Sequence, residues 1–189
     1  MTKLTFALAG NPNAGKTTIF NALTGLHQHT GNWPGKTVEK KEGEINHWGE
    51  VIKIVDLPGS YSLTAYSPEE IIARDFIIEE RPDVVVNVVD ASNLERNLYL
   101  TVQILELDVP VVLALNMMDD LKKAGGRVDV EKLSRLLGGV PVVCATANKG
   151  EGISEMIQAA VQIANRTQKP YGDDIEASSD FRTTAGGTA

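Results

Sequence analysis

Apolar residues along the chain gather into short unbroken runs, separated by longer stretches in which they recur every three or four positions. The runs Leu4–Ala9, Val51–Val55, Val84–Val89, Val109–Leu115 and Pro141–Cys144 are rich in Val, Ile and Leu and lack polar alternation. That pattern marks strands buried on both faces of a sheet. Thr37–Ile45 does alternate and carries Glu39, Lys40, Lys41 and Glu42, so it reads as an edge strand. Lys16–Thr24, Pro68–Glu79, Leu94–Leu107, Val130–Leu137 and Ile153–Asn165 read as helices. Pro68 followed by Glu69 and Glu70 is a favourable helix start, and Gly138-Gly139 a favourable stop.

Strands alternating with helices predict an α/β fold: a mostly parallel sheet of about six strands with one antiparallel edge strand and helices on both faces. Such sheets bind ligands in the crevice at the carboxyl ends of their strands. Residues 1–167 read as one domain. From Gln168 the composition changes, and Tyr171–Ala189 is polar, Gly/Ser/Thr/Asp-rich and without an apolar period. It reads as a linker or tail, or as the start of a truncated helical domain. No signal segment precedes the first strand, and no apolar run approaches the ~20 residues of a membrane-spanning helix. The chain is therefore expected to be soluble, whether alone or as one domain of a membrane protein. A net charge of −7 argues against nucleic acid as a partner, since phosphate backbones need clustered Lys and Arg. The single Cys144 excludes an internal disulfide and reads as a small buried residue on a strand.

Chemistry enters where the first strand meets the first helix. Gly10-Asn11-Pro12-Asn13-Ala14-Gly15-Lys16-Thr17 matches the phosphate-loop pattern G-x-x-x-x-G-K-[ST] in full, between a strand and a helix as the motif requires. Successive backbone N–H groups of such a loop wrap a β-phosphate, and the helix N-terminus adds partial positive charge. Lys16 is expected to reach the β- and γ-phosphates and the Thr17 hydroxyl to ligate Mg²⁺. Thr18 completes the nucleotide-contacting set of this loop. Asp56-Leu57-Pro58-Gly59 closes the strand Val51–Val55, about 40 residues on. Asp56 there can hold Mg²⁺ through a water, and the Gly59 N–H can meet a γ-phosphate.

Two further motifs concern the base. Asn116-Met117-Met118-Asp119 closes the strand Val109–Leu115. A carboxylate at Asp119 can accept from both N1–H and the exocyclic amine of guanine, whereas adenine would leave it unpaired. Asn116 is expected to tie this loop to the phosphate loop. Thr146-Ala147-Asn148-Lys149 follows the strand Pro141–Cys144, at the place where a small residue offers its backbone N–H to guanine O6. Together the motifs predict a P-loop GTPase of the Ras-like fold that binds GTP and GDP.

With these residues in place, the chain resembles the cytosolic N-terminal G domain of the bacterial ferrous-iron transport protein B family. The stretches that carry the resemblance are Gly10–Thr17, Gly31-Asn32-Trp33-Pro34-Gly35 followed by Thr37-Val38-Glu39, Asp56–Tyr61, and Asn87–Leu100. The last is not a nucleotide motif. The resemblance covers about Leu4 to Ile163. It implies a slowly hydrolysing regulatory GTPase at the cytoplasmic side of the bacterial inner membrane, followed in the full-length protein by a helical domain and a membrane transport region. It also implies that Thr37, in the first switch, ligates Mg²⁺ and senses the γ-phosphate. Asn13 and the backbone of the loop from Gly31 to Trp33 would bind K⁺, in place of an arginine finger. Asn13, Lys16, Thr37 and Gly59 are then the catalytic set. Ser60 stands where Ras-like proteins carry a water-orienting Gln. Lys36 departs from the family's usual apolar residue and bears on local packing of the switch. Oligomeric state is left open.

Other polar residues read more plainly. His27 and His29 lie in the first-switch loop and, like His47, lack the spacing of a metal site. Glu69 and Glu70 read as first-turn helix charges. Trp33, between Gly31 and Gly35, reads as mobile and nucleotide-sensitive, in a loop Leu26–Lys36 without apolar period. Two other functions share these motifs: a ribosome-assembly or tRNA-modifying GTPase, and a module that holds GTP or GDP with negligible turnover.

Overall fold

The computed structural model describes residues 4–168. The expected polar tail, apart from Gln168 itself, lies outside the described residues. One seven-stranded sheet is built from β1 (Leu4–Gly10), β2 (Gln28–Asn32), β3 (Glu39–His47), β4 (Glu50–Asp56), β5 (Val84–Asp90), β6 (Val111–Asn116) and β7 (Val142–Cys144), in the order β2-β3-β4-β1-β5-β6-β7. The pairs from β4 through β1, β5 and β6 to β7 are parallel, and β3 pairs antiparallel with both neighbours.

Helices α1 (Lys16–Thr24), α2 (Pro68–Asp75), α3 (Leu94–Leu105), α4 (Met118–Lys123), α5 (Val130–Leu136) and α6 (Ile153–Gln168) cover the two faces. β1 shows why the central strands read as continuous apolar runs. Leu4, Phe6 and Leu8 pack with Ile19 and Phe20 of α1 and Met156 and Ile157 of α6, while Ala7 and Ala9 pack with Leu100 and Ile104 of α3. Both faces are thus buried, and alternation has no physical cause.

Local signals account for the helix ends. The Ser67 hydroxyl accepts from the Glu70 N–H at 3.2 Å, capping α2. Gly138 and Gly139, at φ 77° and 88°, end α5 with N–H bonds back to Arg135 and Ser134. Beyond Asp75 the helix widens into a π-helical turn, Phe76–Glu80.

Three expectations change. The sheet has a seventh strand, β2, inside the segment that read as an unstructured loop. Gln28–Asn32 is polar and contains Gly31, so it carries no strand signal of its own; the open edge of β3 recruits it, with His29 opposite Glu42 and Gly31 opposite Lys40. β3 is therefore an inner strand, and β2 takes the edge. Cys144 is exposed, not buried, because β7 is the three-residue last strand of the sheet.

Candidate nucleotide-binding site

The phosphate loop runs from the end of β1 into α1, at the point where β1 has β4 on one side and β5 on the other. Here the chain must turn tightly against its neighbours. A side chain at Gly10 would lie 2.5 Å from the Val88 carbonyl oxygen, and one at Gly15 would lie 2.1 Å from Asn116 Nδ2. Gly15 also takes φ 87° as the residue before α1, so glycine is needed there twice over. Asn13 adopts φ 66° with its side chain exposed, and the Ala14 N–H closes back on the Asn11 carbonyl at 3.2 Å. Both polar atoms of the buried Asn11 carboxamide lack a partner among the described residues.

Lys16 and Asp56 are both buried, and the ammonium donates to the carboxylate. β4 thus delivers Asp56 to the loop, as expected. The segment after it is sewn to β1 and the phosphate loop, since the Leu57 N–H donates to Leu8 and the Ser60 N–H to Gly10, at 3.0 and 3.2 Å. Gly59 lies so close that a side chain there would sit 3.3 Å from Pro12 Cα. Thr17 and Thr18 are exposed in the first turn of α1. The Thr17 and Thr37 hydroxyls and the Asp56 carboxylate offer oxygen donors only, which is chemistry that fits a hard divalent cation such as Mg²⁺. The described contacts bring Asp56 to Lys16, next to Thr17; Thr37 remains exposed after β2 with no described contact to the phosphate loop.

Asn116 is the joint of the site. Its Nδ2 donates to the Ala14 carbonyl at 2.9 Å, and its Oδ1 accepts from the Ala147 N–H at 3.0 Å. One buried carboxamide therefore ties the ends of β1, β6 and β7. The expected link to the phosphate loop is present. The Ala147 N–H, expected to face a base, is instead spent on Asn116. Between these loops lies a cavity of about 230 Å³ lined by Gly15, Thr18, Asn116, Asp119, Ala147 and Asn148, among others. Met117 takes φ 61° ahead of α4, and this turn brings Asp119 into the cavity wall. Asp119 pairs with Lys149 at 3.2 Å and with Lys123 at 3.6 Å. Partial burial opposes its ionisation, but the Lys149 hydrogen bond and the two ammonium charges hold its carboxyl below the ordinary aspartate value. Lys149 is legible in sequence only as a motif member; its pairing with Asp119 depends on how α4 is placed.

The segment around Trp33, expected as the first switch, is better packed than its sequence suggests. Trp33 is only 8% exposed, meets Phe76 edge-to-face at 5.6 Å and lies under the Lys40 ammonium at 5.2 Å. Its backbone N–H donates to Val38 and its carbonyl accepts from Lys36, which leaves that oxygen a second lone pair. The expected mobile indole is thus a buried one, because the large ring fills the gap between the sheet and the turn after α2. Glu70 does more than charge a helix start. It accepts from the Ser62 and Thr64 hydroxyls and the Tyr66 N–H, bracing the loop before α2.

Comparison with known proteins bears directly on this arrangement. The family profile described as ferrous iron transport protein B matches residues 4–160. The chain belongs to the FeoB family. Its FeoB relatives include the Fe(2+) transporter of Salmonella typhimurium, 51% identical over 193 residues, covering 98% of this chain and 25% of the relative. The FeoB G domain from Methanococcus jannaschii is 53% identical, with TM-score 0.78, covering 87% of this chain and 99% of that one. A GDP-bound mutant of S. thermophilus NFeoB is 48% identical with TM-score 0.82, covering 90% of this chain and 67% of that one. The mixed seven-stranded sheet is accordingly the P-loop GTPase fold of FeoB G domains. The chain spans only about a quarter of its curated relatives' own length, 25% in the Salmonella typhimurium protein and 21% in that of Escherichia coli K12. Among the described residues, no helix is long and apolar enough to cross a membrane.

Proposed function

We propose that this chain binds GTP and GDP, hydrolyses GTP slowly, and regulates ferrous-iron uptake as the G domain of a FeoB transporter. The observation that carries the reading is Asn116, which joins the phosphate loop to Ala147 beside a cavity walled by Asp119. A nucleotide laid across this crevice meets backbone N–H groups at the phosphates and an anionic acceptor at the base.

Gly10 to Thr18 cradle the phosphates, and Asn116, Met117, Asp119, Thr146, Ala147 and Asn148 surround the guanine. Asp119 accepts from guanine N1–H and the exocyclic amine once it exchanges Lys149 for the base. Asp56 lies under Lys16, so the ammonium is held at the loop and can turn to the β- and γ-phosphates. The hydroxyls of Thr17 and Thr37, and Asp56 through a water, would hold Mg²⁺, which offsets phosphate charge. The Asn13 amide oxygen, with the carbonyls of Gly31 and Trp33, would hold K⁺, which supplies the positive charge that an arginine supplies in other GTPases. The Gly59 N–H, kept near Pro12, meets the γ-phosphate and reports its loss, and Thr37 does so from the first switch. Residues 1–167 form the working domain; a helical domain and a membrane region complete the transporter, with the site facing the cytoplasm.

Ser60 in place of a water-orienting Gln favours a second reading, a GTP- or GDP-holding module with negligible turnover. Calorimetric titration with GDP and with ADP tests the binding common to both. GDP should bind at least ~100-fold more tightly; equal affinities would remove the guanine assignment.

A further inference from the structure

The stretch Asn87–Leu100 is left over after every nucleotide motif has been used, and the structure puts its residues to work on two sides of α3. On the inner side they fasten the helix to β5. The Thr101 hydroxyl donates to Asn87 Oδ1 at 2.7 Å inside the core. The Asn97 carboxamide accepts from the Asp90 N–H at 3.2 Å and donates to the Asn93 carbonyl at 2.9 Å. The Asp90 carboxylate accepts from the N–H and hydroxyl of Ser92 and from the Asn93 amide. The buried side chains among these, Asn87, Asn97 and Thr101, fix the helix in one orientation.

On the outer side the same helix grips the loop that follows Gly59. The Arg96 guanidinium lies 4.4 Å from the centre of the Tyr61 ring, within cation–π range. Seven residues on, two turns along the same side of the helix, Gln103 Oε1 accepts from the Leu63 N–H at 2.8 Å. Among the described residues the same segment is also held where the Ser60 N–H meets Gly10, where Glu70 braces residues 62–66, and where the Leu63 side chain enters the core beside Trp33 and Ile72.

We infer that Arg96 and Gln103 are positioning residues of the GTPase cycle: α3, held rigidly on β5, clamps the second-switch loop so that the Gly59–Ser60 backbone stays aligned with the phosphate loop. Neither residue touches the phosphates. The clamp gives the start of α3 a role although it contains no nucleotide motif. The inference rests on the GTPase reading for its kinetic consequence but not for its structural one.

Two measurements on the GDP-loaded chain and in turnover separate the two. Amide hydrogen exchange at Leu63 should accelerate at least tenfold in Gln103→Ala, and exchange across residues 60–66 about fivefold in Arg96→Ala. Arg96→Lys, which keeps a cation over the ring, should stay within twofold of the parent. Arg96 and Tyr61 are exposed and Gln103 is half-buried, so these variants should keep their fold. In turnover Arg96→Ala should lower kcat about tenfold with KM and GDP affinity within twofold, Arg96→Lys should recover most of it, and Tyr61→Leu should add nothing further in the Arg96→Ala background. Unchanged exchange at Leu63, additive effects of Tyr61 and Arg96, or a kcat untouched by a loosened loop would each overturn the clamp. If the parent chain itself fails to release phosphate from GTP, the GTPase reading falls while the exchange result still decides the clamp.

Discussion

Replacing Asn116 by alanine removes both bonds of the joint at once. The Ala14 carbonyl loses a donor at 2.9 Å and the Ala147 N–H loses an acceptor at 3.0 Å, at a side chain that is 3% exposed. Leaving a buried polar group unpaired costs about 1–3 kcal/mol, so two such groups amount to roughly 2–6 kcal/mol. The neighbouring cavity lets water reach part of this seam, which favours the lower half, about 2–4 kcal/mol. For a domain of this size that corresponds to a fall in Tm of roughly 4–16 °C. Asn116→Asp separates the two bonds. Its carboxylate still accepts from Ala147 but faces the Ala14 carbonyl with no donor, so it should lose about as much as Asn116→Ala. Thermal unfolding followed by circular dichroism gives the first quantity. Titration with fluorescent GDP gives the second, and both variants should bind at least tenfold more weakly, because the phosphate and base loops are no longer held in register. An Asn116→Ala protein with parental Tm and parental GDP affinity would show that Asn116 does not join the two loops.

Asp119→Asn should weaken GTP and admit xanthosine triphosphate, since the amide donates where xanthine O2 accepts; unchanged GTP affinity in a competition assay would contradict the base assignment. Because Lys149 and Lys123 depress the Asp119 pKa, its carboxylate stays ionised down to its lowered folded value, and its contribution is lost only as pH falls through that value. The pH dependence of GDP affinity between about pH 8 and about pH 5 should therefore come from the ligand's own terminal phosphate, which titrates near about pH 6, and be shared by the parent and Asp119→Asn; a loss in that range found only in the parent would contradict it. Hydrolysis should be much faster in KCl than in NaCl, and Asn13→Ala should remove most of the difference while leaving GDP affinity nearly intact; equal rates in the two salts would exclude K⁺ as cofactor. In a Trp48→Phe background, Trp33 fluorescence should differ between GDP and a non-hydrolysable GTP analogue, because its packing against Phe76 must change if Thr37 moves to the γ-phosphate; identical spectra with both ligands bound would place Trp33 outside the switch.

The parts of the molecule that can be read from sequence are those whose signal is local. β1, β4, β5 and β6 are covered on both faces, so burial alone writes them as Val/Ile/Leu runs, and α1 begins and ends at the predicted residues. The phosphate loop is equally plain, because its glycines are demanded by contacts within 4 Å to Val88 and Asn116. What stays hidden depends on neighbours distant in sequence. β2 is a strand because β3 offers an edge. Cys144 is exposed because no strand follows β7 in the sheet among the described residues. Trp33 is buried because the turn after α2 leaves a slot for its ring. The pairing of Asp119 with Lys149 and of Tyr61 with Arg96 needs two helices and the segments facing them set in place, and no spacing along the chain encodes it.

The proposed site around Asn116 and Lys16 should hydrolyse GTP and not ATP. Phosphate release by the purified chain, with Mg²⁺ and KCl present and GTP or ATP as the sole nucleotide, tests it most directly. Slow release from GTP that disappears in Lys16→Ala, with no release from ATP above background, is the predicted result. Release from ATP at the same rate, or from GTP in Lys16→Ala as fast as in the parent chain, would mean that this crevice is not a GTPase site.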